Sequence, residues 1–404
     1  MARPLDAQAV SQLTLLNNRG ARALVEELNV AKANLARARR PPNPILQGAM
    51  RFHSGDRPAI DLDAVISVTD LLLLAARSGA AESEVEAAKL SAVGNVLDLS
   101  FEARRAFFEY QAALQTLELR GNVVDAFAAS SDAIQRLRDA GNTTELAVAN
   151  ERAALADARV KLQRGQLRVG AARERLNGLM GLSGRDTRWK TEVRLPEVPR
   201  AELDVKDLES EAVRRSLDLE LAKQRFAAAA KRANLSRAAG FIPEVRAGVS
   251  AERHESWGVG PAVEVQVPLF YQGQGEVGVA EAERRQEENV YTDTAVRLRA
   301  AARVAAAELA AARDRVLYSR GVVMPLRQKV IEETQLQYNA MLVGVFQLLQ
   351  AKREQIEAGA TYIDQLREYW TARSNVEQLL AGRMPEAPAH KNGPAADGAA
   401  TTGE

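Results

Sequence analysis

Ala33-Asn34-Leu35-Ala36-Arg37-Ala38 returns, almost unchanged, as Ala233-Asn234-Leu235-Ser236-Arg237-Ala238, 200 residues further along. Moving outward from this pair, the chain keeps finding itself at nearly the same distance. Pro44 answers to Pro243, and Ala64-Val65 with Leu71 answer to Ala262-Val263 with Leu269. Ala103-Arg104 and Glu109 match Ala302-Arg303 and Glu308, and Ala172-Arg173 with Leu179 match Ala372-Arg373 with Leu379. Single matches among alanine-rich segments carry little, but a register that drifts by about two residues over the whole chain marks a duplication. The period far exceeds that of solenoid repeats, so the repeating unit is a half-structure.

The halves span 1–182 and 206–382, joined by an irregular connector over 183–205 and followed by a tail, 383–404. Each half is expected to open with a helix, at 7–40 and 206–240. Prolines then break the pattern: Pro41, Pro42 and Pro44 in the first half, Pro243 in the second. Two strand-like runs follow in hairpins at 43–69 and 243–270. In Ile60–Thr69, Ile60, Leu62, Ala64, Ile66 and Val68 alternate with Asp61, Asp63, Ser67 and Thr69. In Val259–Val267 the apolar set is Val259, Val263, Val265 and Val267, interleaved with Gly260, Glu264 and Gln266. Period-two alternation gives one apolar and one polar face. Strands of ~9–11 residues span a bilayer when tilted, though a small soluble sheet fits the same pattern. Long helices follow at 70–140 and 274–340, with Pro325 expected to kink the second, and return helices at 146–182 and 345–382. Heptad stripes run through them: Phe107, Tyr110, Leu114, Leu117 and Gly121 in one, Leu298, Ala302, Ala305, Leu309, Ala312 and Val316 in the other. Small residues within such a stripe let helices approach closely. The connector holds Pro196 and Pro199, and the tail lacks large apolar residues and is expected to be disordered.

Composition excludes several classes. Charged residues are 26% of the 404-residue chain but leave a formal charge of only +1, interspersed along helical segments, which argues against a nucleic-acid partner. No run approaches the ~20 apolar residues of a membrane-spanning helix. There is no cysteine, so thiol chemistry, disulfides and cysteine-held metals are excluded. No catalytic residue, cofactor or metal is expected. His53 and His254 sit at equivalent hairpin ends but read as exposed loop residues, and His390 falls in the tail. Arg152 and Arg353 read as solvated helix charges. Met1-Ala2-Arg3-Pro4 lacks the apolar core of a secretory signal, so the chain is either cytosolic or a form whose signal lies upstream.

A duplicated order of helix, β-hairpin, long helix, turn and return helix resembles the TolC-like outer-membrane efflux proteins. The resemblance is carried by Asn43-Pro44, by Pro243 with Leu269-Phe270 and Gly273, and by the tips. These are Gly141-Asn142-Thr143-Thr144-Glu145-Leu146 and Tyr338-Asn339-Ala340-Met341-Leu342-Val343, running on to Leu348-Leu349-Gln350-Ala351. It covers about Leu13 to Gly382.

The resemblance implies a mainly α protein with a small β part. Three protomers would each give four strands to a twelve-stranded barrel continued by an α-helical tunnel. It also implies a passive exit duct in the outer membrane of a Gram-negative bacterium, reaching into the periplasm. Its partners would be two further copies, the outer-membrane lipid, a periplasmic adaptor and an inner-membrane pump. Asp61, Asp63 and Glu264 would face the lumen. Gly141, Asn142, Thr143 and Thr144 with Met341, Leu342, Val343 and Gly344 would form adaptor-docking tips. Tyr338, Gln347 and Gln350 would line a periplasmic gate. Met341 stands where the family usually has glycine, Gln347 and Gln350 where it commonly has acids, and Val343 where an arginine can sit. The other reading is a periplasmic coiled-coil adaptor or scaffold, which would have one helical hairpin flanked by compact β domains.

Overall fold

The structure is a computed structural model that describes residues 4–52, 58–253, 256–267 and 269–385, with Phe241 by its backbone alone. The three histidines, the hairpin turns at 54–57 and 254–255, Pro268 and the tail from 386 onward lie outside the described residues. The first half runs α1 (Ala7–Asn17), α2 (Arg19–Ala38), β1 (Ile45–Arg51), β2 (Ala59–Ser67), α3 (Val68–Leu72), α4 (Leu74–Asp139) and α5 (Glu145–Leu179). The second runs α6 (Leu208–Arg215), α7 (Leu217–Phe241), β3 (Glu244–Arg253), β4 (Trp257–Gln266), α8 (Gln274–Tyr318), α9 (Met324–Asn339) and α10 (Val345–Leu380). The 66 residues of α4 make a rod of about 100 Å at 1.5 Å per residue.

Each opening helix is two helices, a break the heptad-like pattern concealed. Asn18 ends α1 and caps α2, its Oδ1 accepting from the Gly20 and Ala21 amides at 2.7 and 3.2 Å. Ser216 does the same for α7, accepting from Leu219 N at 3.0 Å. Against each break lies the end of the return helix. Gly181 and Gly382 adopt positive φ, and a Cβ there would sit 2.9 Å from Asn17 O and 2.4 Å from Arg215 O, so only glycine permits the approach. Asn18 Nδ2 donates to Leu179 O, and Leu217 N to Gly382 O, which closes each joint.

The expected strand over 60–69 ends at Ser67. Its hydroxyl accepts from Asp70 N at 3.1 Å and starts the one-turn α3, which removes Val68 and Thr69 from the sheet. Pro325 acts upstream of itself. It offers no N–H to the carbonyl of Gly321, and the ladder widens into a π turn over Ser319–Val323 before α9 begins. The tail does not begin at 383: Arg383 is held between Asp98 and Asp218, and Met384 N donates to Asp218 at 2.7 Å.

The core sits where the connector crosses the helices. Leu298, Ala302, Ala305, Leu309, Ala312 and Val316, the six stripe residues of α8, are all at most 4% exposed. They pack with Phe107, Tyr110, Leu176, Leu366 and Tyr369. The connector contains a 3-10 turn, Gly184–Thr187, and is gripped by two repeat-equivalent arginines. Arg173 donates to Thr187 O and Trp189 O at 2.8 and 2.9 Å and lies 4.3 Å over the Trp189 ring. Arg373 reaches Glu202 at 2.9 Å, beside Tyr369, whose hydroxyl donates to the same carboxylate. Burial and that hydrogen bond push the Tyr369 phenol up to about 12.

Candidate functional site: a two-faced sheet and two helical tips

The four strands form one antiparallel sheet in the order β1-β2-β3-β4, so the two hairpins pair with each other through β2 and β3. Cross-strand partners share a face, and the register therefore sorts every side chain. One face takes Gln47 and Asp63 beside Ser250 and Gly260, Asp61 beside Glu252, and Arg246 beside Glu264. The other takes Leu62, Ile66, Val249, Val259, Val263 and Val265. Asp61, Asp63 and Glu264 thus lie on a single polar face, joined by Glu244 and Glu252, which the sequence patterning did not single out. Two arginines partly balance them: Arg51 pairs with Asp61, and Arg246 lies 2.6 Å from Glu244 and 3.3 Å from Glu264. The apolar face is largely solvent-accessible in a single chain. Val259 is 71% and Val263 68% exposed. Its only charge among the described residues is Arg253, at the strand end beneath Trp257 at 5.9 Å. The outer edges of β1 and β4 pair with no other strand among the described residues.

At the far end of the long helices are two tips of identical backbone design. After α4, Gly141 N donates to Arg138 O and Asn142 N to Leu137 O; after α9, Met341 N donates to Tyr338 O and Leu342 N to Gln337 O. Both are left-handed helix caps, with φ of 81° at Gly141 and 61° at Met341. Glycine adopts this conformation freely, whereas methionine pays roughly 1 kcal/mol for it. Met341 is the one described residue other than glycine with positive φ. Thr144 caps α5 through Ala147 N, while Gly344 precedes α10 without a side-chain cap. Ile134, Ala147 and Val148 of the first tip meet Val345 and Leu349 of the second in a small shared core.

Tyr338 is half-buried on the last turn of α9, and Gln347 and Gln350 are exposed on the first turns of α10. No hydrogen bond joins Tyr338 to either glutamine among the described residues. Gln350 instead donates to Glu354 on its own helix at 2.9 Å, and Glu354 pairs with Arg327. The Gln350 amide and the Arg327 guanidinium hold the Glu354 carboxyl below the usual carboxylate range. This acid, one turn beyond Gln350 and two beyond Gln347, was missed because nothing in the pattern sets it apart from other helix charges. Arg353 is not simply solvated: it lies 5.0 Å from the Phe127 ring and 3.8 Å from Glu151, whose side chain is 1% exposed. Arg152 donates to Gln135 at 3.0 Å.

A four-stranded sheet with one apolar face, set on paired helical hairpins of about 100 Å, is the protomer architecture of TolC-like outer-membrane channels, and this chain has that fold. A membrane protein from Pseudomonas aeruginosa superposes with a TM-score of 0.79 at 19% identity, over 95% of this chain and 92% of that one. The Campylobacter jejuni CmeC outer membrane channel gives 0.78 at 12% identity, over 95% and 87%. The outer membrane protein VceC from Vibrio cholerae gives 0.77 at 15%, over 93% and 96%. No protein-family model and no curated protein sequence matches the chain.

Proposed function

We propose that the chain is one protomer of a homotrimeric outer-membrane duct that conducts substrates passively out of the periplasm. Substrate arrives through a periplasmic adaptor engaging the tips at Gly141–Thr144 and Met341–Gly344 and through an inner-membrane pump. The observation that carries this reading is the sheet: one continuous apolar face, one polar face and two open edges. Lipid tolerates no open strand edge, because unpaired N–H and C=O groups find no water there. Three copies, β1 of one beside β4 of the next, make twelve strands and close the barrel. Asp61, Asp63 and Glu264 then face the lumen, while Leu62, Ile66, Val263 and Val265 face lipid. A periplasmic adaptor or scaffold leaves the apolar face without a partner, and nothing in the structure favours that reading.

Tyr338, Gln347 and Gln350 line the narrow periplasmic end in this reading. Neutral amides there contribute no charge to the ring. The purified protein in a planar bilayer should conduct ions, and Gln347→Asp with Gln350→Asp should raise cation preference and let multivalent cations block. Absence of conductance overturns the duct; unchanged selectivity and block in the double variant removes the glutamines from the constriction.

A further inference from the structure

From Leu28 to Gly55 the chain carries no Asp or Glu, yet it carries Lys32, Arg37, Arg39, Arg40 and Arg51. Arg51 pairs with Asp61 in the sheet, and the other four lie on the last turns of α2 or just past it. The repeat does not demand them all. Arg39 and Arg40 answer to Ala239 and Gly240 in the second half, where α7 leads into its hairpin without them. Arg39 reaches Glu82 of α4 at 2.8 Å. Arg37 and Arg40 are exposed, and among the described residues nothing takes up either guanidinium. Five residue steps separate Arg40 from Ile45 at the start of β1, a reach of at most about 18 Å. On β1 the apolar side opens with Leu46, opposite Ala64 and 77% exposed. Lower on α2, Leu24 lines a concave groove with Asp98, Arg315 and Asn375. Arg37 sits about 140° around the helix from Leu24, away from that groove.

Resting on the trimeric reading, we infer that Arg37 and Arg40 of one copy, with Phe270 and Tyr271 of the next, hold the phosphate of an anionic phospholipid at the periplasmic rim of the barrel. With β1 beside β4 of the next copy, the residues that follow that β4 come to the height of Arg40, and Phe270 is 97% exposed there. There is then one site at each subunit junction. Aromatic rings settle at the headgroup level, and cations just outside the hydrocarbon attract anionic lipid. A guanidinium fork matches the two oxygens of a phosphate. The rival partner is Glu276 of the next copy, which already accepts from the Tyr271 hydroxyl. Glu281 and Glu283 of the same helix have Arg237 and Arg232 of their own chain.

Phosphatidylglycerol is anionic and phosphatidylcholine is not, so titrating each into the trimer, stripped of lipid in uncharged detergent, separates headgroup charge from acyl chain. Native mass spectrometry should show phosphatidylglycerol retained several-fold more than phosphatidylcholine. Arg37→Gln with Arg40→Gln should lose that preference, while Arg37→Lys with Arg40→Lys keeps most of it. Arg164→Gln with Arg168→Gln removes the same charge from exposed positions on α5 and should leave the preference unchanged. A trimer that retains both lipids alike, or a glutamine pair that still prefers phosphatidylglycerol, overturns the headgroup site and leaves the duct standing. So does a glutamine pair whose lipid-free trimer falls apart, because the arginines then serve Glu276 between copies. A monomeric preparation of the unaltered protein overturns both.

Discussion

Glu264 and Val263 are neighbours in β4, and the register sends them to opposite faces of the sheet. An arginine placed on the lipid side near the bilayer midplane costs about 2–4 kcal/mol, whereas a lumen-facing change costs little. Val263→Arg should therefore depress the yield of assembled trimer strongly, while Glu264→Arg leaves it near that of the unaltered protein. Equal yields would mean that neither face meets lipid, and the reverse order would mean that the faces are assigned the wrong way round. At this scale the sequence was legible wherever alternation was strict. Asp61, Asp63 and Glu264 announced their shared face through period two, but Glu244 and Glu252 did not, because β3 mixes Arg246, Ala247 and Gly248 without clean alternation. Only pairing with β2 shows where they point.

At the scale of elements, stripes were readable and joints were not. The six apolar residues of α8 stood out by their steps of three and four, since each must be buried against a neighbouring helix. The breaks at Asn18 and Ser216 were hidden because a cap changes only one residue in an otherwise helical text. The π turn was hidden because Pro325 marks a kink without saying how the ladder absorbs it. Least visible of all was the clamp on α10's end. Arg383 binds Asp98 of α4 and Asp218 of α7, residues 285 and 165 positions away. No local pattern encodes such a contact.

The clamp makes a pH-dependent expectation. Burial raises the Asp218 carboxyl above its ordinary range even with Arg383 beside it. Removing the guanidinium in Arg383→Met leaves two carboxylates facing each other and raises it further. A carboxyl whose folded pKa exceeds its unfolded value loses stability as pH rises through the folded value. Arg383→Met should thus melt close to the unaltered protein at about pH 4 and progressively below it by about pH 7. A melting deficit independent of pH would show that the clamp acts through packing alone.

For the whole molecule, duplication explains both the order of elements and its economy. Each half supplies one β-hairpin and one long helical hairpin, and the connector ties them at the core through Arg173 and Arg373. Among the described residues one chain does not close: the four strands end in two unpaired edges, and the apolar face lies open. Closure by three copies is the claim on which lumen, gate and tip assignments all depend. Light scattering of the detergent-solubilised protein, corrected for bound detergent, tests it most directly. The expected protein mass is three times the 43.9 kDa of one chain, stable on dilution. A stable particle of one chain's mass would contradict it.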